Sequence, residues 1–110
     1  MPTTYKVLGQ VAPAATTEVN LYTVPSSTQA VVSSIAITNQ AASSATFRIA
    51  VRPSADATTV AKHYLVYGTT VGAADTVVLT IGVTLAAGDK IQVFGSTATL
   101  SFSAYGSEIS

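Results

Sequence analysis

The sequence predicts an all-β fold, a single antiparallel two-sheet sandwich of jelly-roll-like type with about eight short strands over residues 1–110. Three observations predict it. Apolar and polar residues alternate with a period of two, most cleanly where Phe47, Ile49 and Val51 alternate with polar or small neighbours. Clusters of Gly, Pro, Asn and Ser separate the alternating runs at short intervals. No stretch carries a convincing helical period, so packed sheets are the expected architecture.

Each predicted strand is an alternating run bounded by turn residues. Residues 4–11 and 18–24 form the first two strands, and residues 12–14 and 25–27 end them with Pro-containing turns. Residues 29–52 are predicted to be a hairpin, two strands with a polar turn at residues 39–44. In its first strand Val31, Ile35 and Ile37 are expected to share one face, because a strand returns to the same face every second residue.

The second half of the chain continues the pattern. Residues 53–59 form a polar loop, residues 63–67 an aromatic strand and residues 68–75 a turn. Further strands are predicted at residues 76–85, 90–95 and 99–109, and Gly82 indicates a bulge or bend within the first of them. The predicted core consists of the apolar residues that share the inward phase: Phe47, Ile49, Val51, Leu79, Ile81, Ile91, Val93 and Phe102.

The chain contains few charged residues. Charged residues make up 9% of the chain, the net charge is zero and Ser and Thr number 29, whereas about 25% charged residues is typical. Electrostatic attraction to nucleic acid or to an anionic membrane is therefore not expected. The same composition suits either a protein that packs against copies of itself or an ordinary β domain with small polar side chains.

The sequence carries no targeting or membrane signal that we recognise. The first ten residues lack a cationic start followed by an apolar run, so no signal peptide is expected. No run approaches 18 apolar residues, so no membrane span is expected, and the chain has no Cys for a disulfide or thiolate site. Synthesis in a cytoplasm, without export by a signal peptide, is the expectation.

No catalytic, metal or cofactor site is predicted. His63 is the one histidine, and a catalytic base would need a nucleophile and an orienting group beside it. We expect a structural histidine, with one ring nitrogen bonded to backbone or water. Asp56, Asp75 and Asp89 fall in three separate loops without the close spacing that calcium sites favour. Asp75 and Asp89 each precede a strand, where a carboxylate normally bonds the backbone of its own turn.

Aromatic and arginine side chains are the remaining candidates for binding. Tyr22, Tyr64, Tyr67 and Tyr105 are compatible with a sugar-stacking platform, although core or interface packing is the more ordinary role. Arg48 and Arg52 share one face of the second strand in residues 29–52. They suit an interface, where Arg is enriched, or two solvated positions at a sheet edge.

Three segments of the sequence carry a family resemblance: LYTVPSSTQAVVSSIAITNQAASSATFRIAVRP, HYLVYGTTVGAADTVVLTIGVTLAAGDKIQVFGS and TATLSFSAYGSEIS. Together they resemble short virion proteins of tailed bacteriophages, particularly phages of marine bacteria and cyanobacteria. The resemblance implies a structural protein of the virion: a β-sandwich cement (decoration) protein of the capsid, often a trimer, or a tail, neck or fibre-associated component. A carbohydrate-binding sandwich is the remaining alternative, and an enzyme is not expected.

The expected partners are further copies of the chain, as a homotrimer, and the major capsid protein or other virion proteins. Few prolines and lysines guard the strand edges, so neighbouring chains are expected to cover them. Residues 100–105 are the expected subunit contact and residues 53–59 the expected capsid contact. The predicted interface residues are Arg48, Arg52, Asp56, Leu100, Phe102 and Tyr105.

Overall fold

A computed structural model describes residues 2–110 of the chain. Apart from one short 3-10 turn at Ala61–His63, its regular structure consists of strands. The strands are β1 (Thr3–Val11), β2 (Glu18–Thr23), β3 (Gln29–Asn39), β4 (Ala45–Arg52), β5 (Tyr64–Val71), β6 (Thr76–Leu85), β7 (Lys90–Gly95) and β8 (Leu100–Ile109). No helix in this part of the chain has the length and hydropathy needed to cross a membrane.

The strands form two four-stranded antiparallel sheets. Sheet A has the order β1-β8-β3-β6 and sheet B the order β2-β7-β4-β5. Every connection crosses from one sheet to the other, except the one between β4 and β5, which are neighbours in sheet B. Eight strands wound between two sheets in this way are a jelly roll, which confirms the predicted fold class.

The predicted hairpin over residues 29–52 is wrong, although both of its strands exist. β3 pairs with β6 and β8 in sheet A, whereas β4 pairs with β5 and β7 in sheet B. Residues 40–44 are therefore a corner between the sheets and not a hairpin turn. Local alternation shows that one face of a strand is buried, but a strand that crosses to the other sheet alternates in the same way. The sequence pattern could not distinguish the two.

The core lies between the sheets and contains most of the predicted residues. Phe47, Ile49, Ile91, Val93 and Phe102 are at most 1% exposed, and the rings of Phe47 and Phe102 meet edge to face with centroids 6.2 Å apart. The other three predicted residues are half-buried at the margin of the core: Val51, Leu79 and Ile81.

A row of β-bulges crosses sheet A at one level. The neighbouring strands insert an extra residue on either side of Tyr105 of β8: Leu8 of β1 lies opposite the step from Ala104 to Tyr105, and Ser33 of β3 lies opposite the step from Tyr105 to Gly106. The irregularity continues into β6 beside Gly82, which has φ +58°. A bulge shifts the phase of a strand by one residue. The prediction that Val31 shares a face with Ile35 is consequently wrong.

All four edge strands of the sandwich are interrupted by irregular pairing. β1 and β6 carry the bulges just described, β2 has one between Asn20 and Tyr22, and β5 has two. In β5 the second coincides with Gly68, which has φ +83°. Bulges twist an edge away from further pairing. The edges are therefore protected within the chain, and their covering by neighbouring chains stays a prediction.

Buried polar contacts hold the sandwich together at both ends. At one end Asn39, 1% exposed, donates from Nδ2 to the carbonyls of Ser43 at 2.8 Å and Gly72 at 3.2 Å, and its Oδ1 accepts a hydrogen bond from the Thr99 hydroxyl. These partners belong to three different sheet-crossing connections. At the other end the hydroxyl of Tyr22 in sheet B donates to Glu108 in sheet A.

Candidate interaction surfaces

The β4–β5 loop, residues 53–60, lies across the outer face of sheet B. Its Thr59 hydroxyl donates to Oε2 of Glu18 on β2 at 2.8 Å. Ala50 and Gln92 point outward from sheet B, yet they are 1% and 7% exposed. At the start of the loop the backbone N–H of Ser54 donates to Oδ1 of Asp89 at 3.0 Å. The loop is therefore a bound cover on this face and not a free surface segment.

His63 fastens the end of this loop. Its Nδ1 accepts a hydrogen bond from the backbone N–H of Val60 at 2.9 Å, which leaves the Nε2–H to donate to Oδ2 of Asp56 at 2.9 Å. The hydrogen bond from His63 lowers the pKa of the Asp56 carboxyl. Both ring nitrogens are engaged and the side chain is buried. The expected structural role, with one nitrogen on the backbone, agrees with this geometry.

An arginine–aromatic cluster, Arg48 with Tyr64, Tyr67 and Phe94, occupies the rest of the outer face of sheet B. The three strands align Phe94, Arg48 and Tyr67 as direct neighbours. The Arg48 guanidinium lies 4.1 Å from the ring centroid of Tyr67 and 4.3 Å from that of Phe94. Rings on both sides of a guanidinium fix it in place by cation–π attraction. Tyr67, 65% exposed, and Tyr64 border a surface depression of about 610 Å³.

Two cationic side chains lie side by side on the same face of sheet B near the loop. Arg52 lies directly opposite Lys90 on the neighbouring strand, an arrangement of like charges that costs stability. Arg52 donates to the Thr59 hydroxyl at 3.4 Å, and its buried Nε has no partner among the described residues. Most of the chain's few cationic side chains are thus gathered on or beside sheet B.

The outer face of sheet A is different, because within residues 2–110 no charged residue occupies an outward position of its strands. We call it the charge-free face: the outward positions of β1, β8, β3 and β6 are occupied by Ser, Thr, Gln, Ala, Val, Ile and Tyr alone. Lys6 and Glu108, the charged residues of these strands, have the inward phase and pair with each other at 3.2 Å. Tyr5, Val7 and Val78 on this face are 84%, 47% and 60% exposed.

The six predicted interface residues do not form one surface. Arg48, Arg52 and Asp56 lie on the sheet B side, whereas Tyr105 lies on the charge-free face. Leu100 and Phe102 are 1% and 0% exposed in the core, so their prediction as contact residues is corrected. β8 is a central strand, and its alternate residues must face the opposite sheet. The exposed Tyr5 was not among the predicted residues, because an aromatic residue near one end of a strand pattern gives no signal of its own.

The acidic side chains serve local structure. Asp89 accepts from the backbone N–H of Ala86 at 2.9 Å within its own turn, and Asp75 accepts from the N–H of Thr76 at 2.8 Å. Both observations match the sequence-based expectation for these aspartates. Residues 2–110 contain no group of three or more His, Cys, Asp or Glu side chains placed to hold a metal ion.

Comparison with known proteins identifies a relative in fold. No family model matches the sequence, and a search of curated proteins finds no match. Among solved structures, a chain in the structure of infectious bursal disease virus, Gx strain, is similar with a TM-score of 0.56 and 11% sequence identity. The similarity covers 97% of this chain and 31% of that one. The likeness supports the jelly-roll fold over nearly the whole chain, which spans about a third of the length of its neighbour.

Proposed function

We propose that this chain is a structural protein of a virion, and more specifically a cement (decoration) protein that binds the capsid of a tailed bacteriophage. In this proposal the chain self-associates, as a homotrimer, and stabilises the head through contacts with the major capsid protein. It has no enzymatic activity and needs no cofactor. The location would be the virion, after synthesis in the host cytoplasm.

The observation that carries the proposal is the jelly roll itself, matched over 97% of the chain to a chain of a virus structure. Jelly rolls recur in viral capsid domains, and also in lectins and cupins. A fold does not fix a function, but the other features agree with a role in a particle. The core of residues 2–110 is filled by apolar side chains and holds no cluster of metal-ligating side chains. A cupin-type enzyme would need such a cluster.

The test is to mix the purified chain with phage heads that lack it and to reconstruct the decorated particles. We expect density for the chain on the outside of the head in hundreds of copies, together with heads that withstand a higher temperature before they release DNA. Binding at the tail, neck or fibres, in a few copies, would replace the cement assignment with the tail-component alternative. Absence from every part of the particle would refute both.

A pair of matched variants tests the expected capsid contact through residues 53–59. Ala57→Arg places a large side chain on the exposed surface of the β4–β5 loop, and Ala98→Arg places the same side chain on the exposed β7–β8 connection. We expect the first variant to bind heads at least tenfold more weakly than the second. Equal binding by the two variants would mean that the β4–β5 loop does not contact the capsid.

Carbohydrate binding is the second candidate, favoured by Tyr67. Its ring is 65% exposed beside the depression that Tyr64 and Val60 also line, and an exposed ring offers a flat apolar face to a sugar. A glycan-binding screen with the wild type and Tyr67→Ala is the test. Binding that is lost in the variant, without binding to heads, would favour this function over the virion role.

A further inference from the structure

The charge-free face is unusual for an exposed sheet. A typical domain has about 25% charged residues, and antiparallel sheets with one solvated face normally place polar and charged side chains there. All ten Lys, Arg, Asp and Glu residues of this chain lie elsewhere: on the sheet B side, in the loops, or in the inward phase of sheet A. The uneven distribution marks one side of the sandwich as different from the other.

Exposed apolar groups lie together on this face. Val7 is the direct cross-strand neighbour of Tyr105. Tyr5 lies two residues before Val7 in β1 and on the same side of the strand. With Val31 of β3, the two tyrosines border a depression of about 380 Å³ at the level of the bulge row, which Lys6 also lines although it has the inward phase of β1. Tyr5 is 84% exposed, so its ring has almost no packing partner within its own chain.

We propose that the charge-free face packs against a second copy of this chain. When identical surfaces meet, every charge on them risks meeting its own sign or being buried without a partner, and either outcome is costly. A face without charges avoids both costs. A charged partner of another kind would gain nothing from it, whereas the sheet B side offers such a partner arginine and lysine side chains.

The size of the face is sufficient for such a contact. Four strands spaced about 4.8 Å apart, each about ten residues long at about 3.3 Å per residue, give a face of about 600 Å². Two copies would then bury about 1,200 Å², the lower end of the range for specific interfaces. The inference rests on the self-association in the proposed function but not on its trimeric form, because identical faces meet about a twofold axis and join the chains in pairs.

The test uses the purified chain without phage heads, so that its outcome is independent of capsid binding. Sedimentation equilibrium at micromolar concentrations measures the mass of the wild type, of Val7→Lys and of Leu65→Lys. Val7 and Leu65 are 47% and 51% exposed, on β1 of sheet A and β5 of sheet B respectively. The two variants therefore add the same charge at equally exposed apolar positions on opposite sheets.

We expect the wild type and Leu65→Lys to sediment as oligomers and Val7→Lys to associate at least tenfold more weakly, approaching the 11.2 kDa monomer. Tyr5→Lys, at the most exposed position, should do the same while it retains the wild-type circular dichroism and thermal midpoint. A monomeric wild type would overturn the inference. So would an oligomer that Val7→Lys and Tyr5→Lys leave intact.

Discussion

The hydroxyl of Tyr22 donates a 2.5 Å hydrogen bond to Oε2 of Glu108 and thereby joins the two sheets. Tyr22 lies on the edge strand of sheet B and Glu108 on a central strand of sheet A. Lys6 of β1 reaches the other oxygen of the same carboxylate at 3.2 Å. Burial, together with the hydrogen bond to Glu108, raises the pKa of Tyr22, while the hydrogen bond from Tyr22 lowers the pKa of Glu108.

We expect Tyr22→Phe to lower the free energy of unfolding by about 1.5–3 kcal/mol, because the lost hydrogen bond has a charged acceptor. Urea unfolding monitored by circular dichroism measures the change. Tyr5→Phe is the matched control, since this tyrosine is 84% exposed and should change stability by less than about 0.5 kcal/mol. Equal effects of the two substitutions would mean that the contact between the sheets contributes nothing.

Stability should decrease in acid. The folded-state pKa of Glu108 lies below its ordinary value, because Tyr22 donates to the carboxylate, and that of Asp56 is lowered by His63. Both groups therefore stabilise the folded state above their unfolded pKa values, about 4, and lose this contribution as the pH falls through the lowered values. The thermal midpoint should fall progressively below about pH 4.5.

The thermal midpoint of Glu108→Gln should depend less on pH in the acid range, since this variant lacks one of the two carboxyl groups whose pKa is lowered by folding. Asp75→Asn, which changes a turn carboxyl outside both contacts, is the control and should follow the wild type. If Glu108→Gln showed the full acid dependence of the wild type, the linkage between this carboxylate and folding would be disproved.

Gly106 permits a close approach between β8 and β3. A Cβ built at this position would lie 1.9 Å from the carbonyl oxygen of Val31, whereas a Cβ at Gly68 would meet nothing within 4 Å. We expect Gly106→Ala to destabilise the protein by about 3 kcal/mol or more through overpacking. Gly68→Ala should cost only the strain of φ +83°, about 1–2 kcal/mol. Chemical denaturation of both variants tests this ranking, and the reverse order would contradict it.

Phe47→Ala should lower the free energy of unfolding by about 3–5 kcal/mol, because it removes a fully buried ring that contacts Phe102. Phe94→Ala is the comparison on the outer face of sheet B, where the ring is half-buried and a smaller loss is expected. Equilibrium unfolding in urea provides both values. A loss well below 1 kcal/mol for Phe47→Ala would contradict its place in the core.

The local features of the fold could be predicted from the sequence, and the long-range ones could not. Alternation at Phe47, Ile49 and Val51 correctly places their side chains toward the core, since that pattern depends only on neighbours in the chain. The partner of each strand depends on contacts between distant residues, so the hairpin prediction failed. At Val31 a bulge shifted the phase, and the signal for it lies in the pairing with β8 and not in the local sequence.

Site residues were harder to predict for the same reason. Asn39 was assigned to a polar turn, yet it is buried and binds three separate connections, because the jelly roll brings these together at one end. Arg48 was correctly placed on a face with Arg52, but its aromatic neighbours come from β5 and β7. The charge-free face emerges only when alternate residues of four strands are assigned to one side.

The pairing of β1 with β8 has a consequence for the order of folding events. Thr3 is aligned with Ile109, and β8 is the one strand to which β1 is hydrogen-bonded. At a synthesis rate of about 5–20 residues per second, β1 waits about 5–20 s before β8 has been made. During that interval Tyr5 and Val7 are exposed on an unpaired strand. Because contacts this distant in sequence also slow folding, we expect the nascent chain to depend on chaperones more than its small size would suggest.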